Sequence, residues 1–215
     1  MSVTLNASTS SGLVSTADTS GTIELQSNGT TRLTVASGGI TTTGTSSISN
    51  LTATGTFGGG VITSGTAVAS TSGTSIDFTS IPSWVKRITV ILNAVSTNGT
   101  SLPIIQIGTS SGVEATGYLS TAQDGAASGS STTGYLISRL ATTASSFTGN
   151  AVLCKVEGNT WICSGDIAVQ PTVSANVESI AGSKTLAGTL DRVRITTEGG
   201  VNTFDAGSIN ILYEG

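Results

Sequence analysis

The feature that most constrains this chain is the stretch 81–108, IPSWVKRITVILNAVSTNGTSLPIIQIG. Positions 85–96 are rich in β-branched residues, and Pro103 to Ile107 continue that character, which favours extended backbone over helix. Asn98-Gly99 lies between the two runs. This dipeptide is the strongest short-range signal for a two-residue turn, because a type I′ turn needs positive φ at both central positions. A hairpin turning there sets Leu92 opposite Ile105, Val90 opposite Ile107 and Ala94 opposite Pro103, and gives one apolar face. The other face carries Thr89, Ile91, Asn93 and Val95, with Ile104 and Gln106 across from them. That face is too apolar for a plain solvent face, so the strand is central in a sandwich or lies in a subunit interface.

Composition points the same way. Of 215 residues only 9% are charged, while 37% are hydrophobic. Average soluble proteins carry about 25% charged residues. Ser, Thr and Gly fill the difference, and helix formers are scarce. The expectation is an all-β protein. The net charge is −4 and the eight Lys and Arg form no patch, which argues against nucleic-acid binding through phosphates. No apolar run reaches the ~20 residues of a membrane-spanning helix, so no membrane insertion is expected. The first twenty residues lack the basic start and apolar centre of a secretory signal.

Residues 1–20 are Ser/Thr-rich with little pattern. Residues 21–39 read as a second hairpin. A two-residue turn at Asn28-Gly29 would set Leu25 against Arg32, whereas a three-residue loop of Asn28, Gly29 and Thr30 sets Leu25 opposite Leu33 and Ile23 opposite Val35. The second register keeps one apolar face and is preferred. Such a hairpin cannot stand alone in water. Residues 40–64 scatter Ile48, Leu51, Ala53, Phe57, Val61 and Ile62 through Thr, Gly and Ser. Three chains wound about one axis could turn these inward, and a flexible linker is the alternative. Residues 65–215 carry ten strand-like segments at 66–70, 75–78, 85–96, 103–108, 134–140, 150–156, 161–169, 176–180, 191–197 and 208–213. Turn signals between them suggest a β-sandwich of jelly-roll kind. In the hairpin around Gly158-Asn159, a type II′ turn pairs Val156 with Trp161 and Cys154 with Cys163, and sets Val152, Cys154, Val156, Trp161, Cys163, Ile167 and Val169 on one buried face. Two buried thiols or a disulfide both fit that register.

The run SIPSWVKRITVILNAVSTNGTS and the closing FDAGSINILYEG resemble the C-terminal head domain of tailed-bacteriophage tail fibres, over roughly residues 65–215. The hairpin of residues 21–39, followed by Gly-Gly-Ile, resembles the short β repeats of phage fibre shafts. The resemblance implies a homotrimer assembled in bacterial cytoplasm and located in the virion tail. It divides the chain into a virion attachment segment at 1–20, a β-repeat shaft at 21–64 and a jelly-roll-like sandwich head at 65–215. It implies other tail or baseplate proteins as partners for the N-terminal part, and host surface polysaccharide for the head. A purely structural virion piece, a capsid decoration or a tail adaptor, is the alternative.

The residues offer little chemistry. There is no histidine, which removes Ser-His-Asp and Cys-His systems and the usual zinc sites. The twelve acidic residues are scattered and show neither a glycosidase pair nor a calcium loop. No catalysis, metal or cofactor is expected. Loops at the ends of a sandwich are the better prospect for binding. Tyr118 and Tyr135 bracket the loop STAQDGAASGSSTTG, which contains Asp124. Aromatic faces beside small polar groups suit sugar rings, so Tyr118, Asp124 and Tyr135 are the candidate glycan-binding residues. The alternative is that both tyrosines cap the core with their hydroxyls in water. Trp84 is expected to pack under the sandwich rim beside Pro82.

Overall fold

The structure, a computed structural model, describes residues 22–43, 62–170 and 175–215. The chain divides into two compact units, 1–57 and 58–215. The expected attachment segment and the shaft positions 44–61 lie outside the described residues.

In the first unit, strands β1 (Ile23–Ser27), β2 (Thr30–Ala36) and β3 (Gly39–Thr42) form one antiparallel sheet in the order β1-β2-β3. Ile23 pairs with Val35 and Leu25 with Leu33, the preferred register. The route to it differs from the one expected. Asn28 and Gly29 both take positive φ, 52° and 74°, as a two-residue turn requires. A bulge between Leu25 and Gln26 then restores the apolar pairing. Val35 also pairs with Ile40 of β3. Ile23, Leu25, Leu33, Val35 and Ile40 therefore share a face.

The second unit adds β4 (Ile62–Ser64), β5 (Val68–Ala69), β6 (Ser75–Phe78), β7 (Arg87–Thr97), β8 (Pro103–Thr109), β9 (Gly112–Val113), β10 (Leu119–Gln123) and β11 (Ser128–Ser131). It continues with β12 (Tyr135–Leu136), β13 (Ser146–Lys155), β14 (Thr160–Gln170), β15 (Asn176–Thr185), β16 (Arg192–Thr197) and β17 (Phe204–Glu214). No α-helix occurs among the described residues. One nine-stranded antiparallel sheet runs β11-β10-β15-β14-β13-β7-β17-β4, with β5 also on β17, and a five-stranded sheet runs β12-β8-β16-β6, with β9 on β8. One apolar core joins residues of both sheets, among them Ile88, Val90, Leu92 and Ile209 from the first and Ile105, Ile107, Val193 and Ile195 from the second. Burying each such side chain is worth about 1.5–3 kcal/mol. Ile62–Ser64, expected at the end of the shaft, pairs with β17 instead.

The hairpin expected at Asn98-Gly99 does not form. β7 lies between β13 and β17, while β8 lies between β12 and β16 in the other sheet. The chain changes sheets at 98–102. The apolar rows that would be neighbours in a hairpin instead face each other across the core, an arrangement with the same alternation in sequence. Asn98 holds the corner: its N–H donates to Thr203 O at 3.0 Å, and its Oδ1 accepts from Thr203 N at 2.9 Å. A Cβ at Gly99 would fall 2.3 Å from the end of the Asn202 side chain, so a larger residue there would have to displace that amide.

Two further registers differ from expectation. In β7, Ala94 takes φ 51° at a bulge opposite Gly207, and the strand's alternation shifts there, so Val95 points into the core at 2% exposure. Thr89 and Ile91 remain on the outer face, half-buried. In the third hairpin, Gly158 takes φ 51° and Thr160 N donates to Glu157 O at 2.9 Å, as a II′ turn would have it. Val156 N also donates to Thr160 O at 2.9 Å, and the ladder beyond is one residue out of the expected register. Leu153 pairs with Cys163, Cys154 with Ile162 and Lys155 with Trp161. A one-residue slip moves every side chain of a strand to the other face. β13 thus buries Phe147, Ala151 and Leu153, leaving Val156 exposed. Both cysteines are free; they lie on opposite faces of the sheet, which rules out the disulfide.

Candidate functional site

The segment expected as one long loop, 120–134, is largely a hairpin. β10 and β11 pair antiparallel from Ser120 opposite Ser131 to Gln123 opposite Ser128. Asp124 starts the turn. Its Oδ1 accepts from Ala126 N and Ala127 N, each at 3.0 Å. Its Oδ2 accepts from the Arg139 guanidinium and, at 3.3 Å, from Asn176 Nδ2. Arg139 first and the Ala127 N–H next hold the Asp124 carboxyl well below the usual carboxylate range. Glu178 lies fully buried nearby, with Oε2 accepting from Arg139 N at 2.6 Å. Asp124 therefore clamps the β10–β11 turn to β15 and to the segment after β12.

Tyr118 and Tyr135 sit inside the sandwich, each 1% exposed. Their rings meet edge to face with centroids 5.0 Å apart. Tyr118 Oη accepts from Ile107 N at 2.8 Å and lies 2.9 Å from Glu114 O as donor. Tyr135 Oη donates to Trp161 O at 2.9 Å. Burial pushes both phenols above their ordinary value. Neither ring offers a face for a sugar to stack on; both fill the core, as the alternative reading had it, but with their hydroxyls bonded inside the protein rather than in water. The rings alternate inward because Tyr118 abuts β10 and Tyr135 pairs with Ile105 on β8.

The sequence reading missed Glu114 and Lys184. Lys184 Nζ lies 2.6 Å from Glu114 Oε2 and 5.6 Å from the Tyr118 ring centroid. Glu114 Oε1 accepts from Ala187 N at 2.8 Å. Burial pushes the Glu114 carboxyl up, but the hydrogen bonds from Lys184 and Ala187 and the Lys184 charge outweigh it, so the group stays ionised. Glu114 also lines an open groove of about 600 Å³ between Thr109–Glu114 and 187–189, along which lie the hydroxyl residues Thr109, Ser110, Ser111 and Thr189. The groove opens outward, and its lining mixes apolar surface with hydroxyls that can hydrogen-bond a hydroxylated ligand. Among the described residues, the carboxyls of Glu114 and Asp124 are both shifted down by their surroundings.

Trp84 also departs from expectation. It is 51% exposed, with its ring 6.0 Å from that of Tyr213 at a tilt of 50°. Among the described residues no cluster of three or more His, Cys, Asp or Glu could hold a metal ion, and no helix is long and apolar enough to cross a membrane. Comparison with protein-family models, with curated proteins and with solved structures gives no match.

Proposed function

We propose that this chain is a homotrimeric tail fibre protein of a tailed bacteriophage, a structural virion component whose jelly-roll-like head adheres to the host surface through glycan. The observation that supports self-association is the uncovered face of β1–β3. Ile23, Leu25 and Ile40 are 58%, 47% and 72% exposed there. A three-stranded sheet of this size needs its apolar face covered to persist in water, and three copies about one axis would cover it. The resemblance in sequence supplies the rest of the reading. Adhesion would draw on weak contacts repeated over several heads, and the hydroxyl-lined groove by Glu114 is of the kind such contacts use.

The test is the mass of the full chain in solution by light scattering, for the natural sequence and for Ile23→Asp/Ile40→Asp. A trimer that the double substitution reduces to monomers is the expected result. A natural chain that is monomeric at micromolar concentration would overturn the proposal.

A further inference from the structure

The outer face of the five-stranded sheet holds a second opening, of about 340 Å³, lined by Gln106, Thr133, Arg194, Thr196, Gly199 and Gly200 among others. It is at the small end of ligand-sized pockets. Its floor is made by two directly paired residues of neighbouring strands, Gln106 on β8 and Arg194 on β16. Gln106 is 8% exposed, and its Nε2 donates to Thr133 O at 2.8 Å. Its Oε1 accepts no hydrogen bond among the described residues. That oxygen opens into the pocket and is free to accept from a ligand. Arg194 binds Asp77 in a fork, Nε to Oδ1 at 2.6 Å and Nη2 to Oδ2 at 2.7 Å. Its Nη1 has no partner among the described residues. The two glycines at the rim hold φ of 77° and 63°, so the turn there is fixed in a shape that suits glycine.

We infer that this pocket binds a neutral saccharide unit through two neighbouring hydroxyls, one donating to Gln106 Oε1 and the other accepting from Arg194 Nη1. The inference rests on the adhesion reading above. A free acceptor and a free donor side by side match a vicinal diol, in which one hydroxyl donates and the next accepts. Asp77 already neutralises the guanidinium, which favours a neutral sugar over an acidic one. No aromatic ring lines the pocket, which removes the stacking that a nucleobase would use. A volume of about 340 Å³ admits one or two rings.

The experiment is saturation-transfer NMR and calorimetric titration of the full chain with free neutral hexoses, N-acetylhexosamines and hexuronic acids. The natural chain is expected to bind at least one neutral sugar with a millimolar Kd. Arg194→Met and Gln106→Leu should each weaken it at least fivefold, and Trp84→Ala should leave it unchanged. Arg194 is on the surface, so Arg194→Met keeps the test open if Gln106→Leu fails to fold, as its melting curve will tell. The inference falls if no neutral sugar binds, if uronic acids bind better, or if Trp84→Ala abolishes binding while Arg194→Met does not. A trimer without sugar binding would remove this site and leave the fibre; a monomer that binds the sugar would do the reverse.

Discussion

Tyr118 and Tyr135 meet edge to face inside the sandwich, 5.0 Å between ring centroids, and each hydroxyl ties the core to a backbone group on another strand or turn. Tyr118 matters more, because its Oη is the acceptor for the buried N–H of Ile107. Tyr118→Phe leaves that donor unpaired and should cost about 1–3 kcal/mol. Tyr135→Phe removes a donor from Trp161 O and should cost about 1 kcal/mol. For a domain of this size each kcal/mol lowers Tm by about 2–4 °C. Thermal unfolding of the two variants checks the order, and equal Tm values for both would contradict it.

The register Leu153–Cys163 makes a second prediction. Burial pushes the Cys163 thiol from about 9 up to about 12. The folded state therefore holds a proton that the unfolded state gives up. Its contribution is complete below pH 9 and is lost between pH 9 and 12, at a slope on the order of 1.4 kcal/mol per pH unit. Above pH 10 the raised phenols of Tyr118 and Tyr135 add to the loss. Urea midpoints measured from pH 8 to 10 should fall for the natural chain and stay flatter for Cys163→Ala. Iodoacetamide at pH 8 should modify half-exposed Cys154 in the native protein and Cys163 only after unfolding. Modification of both at equal rates would mean that the slip in register is wrong.

Asp124 sets an expectation on the acid side. Arg139 and the turn N–H groups lower its pKa, so its contribution is present above the ordinary carboxylate value and is lost as the pH falls below it. Asp124→Asn keeps an oxygen for the turn and loses the charge facing Arg139. The variant should be less stable than the natural chain at pH 7, with the gap closing towards pH 2. A gap independent of pH would show that the turn, not the ion pair, carries the effect.

Much of the strand pattern was legible in the sequence. The segments that became β6, β7, β8, β14 and β16 stand out because β-branched residues recur in them. β10 and β11 were hidden, since STAQ and SGSS carry the composition of a loop and become strands only through their ladder to β15. The sheet to which a strand belongs was hidden as well. Ile105 beside Leu92 in a hairpin and Ile105 facing Leu92 across a core have the same alternation, and Asn98-Gly99 serves a corner as well as a turn. Registers next to bulges failed for a related reason: an extra residue at Ala94 or around Gly158 changes face without changing composition. The tyrosines were read by what flanks them, and burial was the missing fact. Glu114 and Lys184 lie 70 positions apart, and nothing local in the sequence joins them.

The bulge itself makes the last prediction. Gly207 takes φ 92°, and a Cβ there would lie 2.4 Å from Ala94 O and 2.6 Å from Asn93 O. Both atoms are backbone, so the clash cannot be relieved by a side-chain rotation. Gly207→Ala should cost at least about 2 kcal/mol. Ala94 pays for its own φ of 51°, a left-handed conformation that disfavours a Cβ by about 1–2 kcal/mol. Ala94→Gly relieves that strain but loosens the unfolded chain by about 0.4–1 kcal/mol, which leaves a net gain of about 0.5 kcal/mol. The double variant should stay close to Gly207→Ala, because the carbonyl that Gly207 meets remains in place whatever side chain residue 94 carries. Urea unfolding of the three variants decides the point: full rescue by Ala94→Gly would mean that the clash lies with the Ala94 side chain and that the close backbone approach between β7 and β17 is not what fixes Val95 in the core.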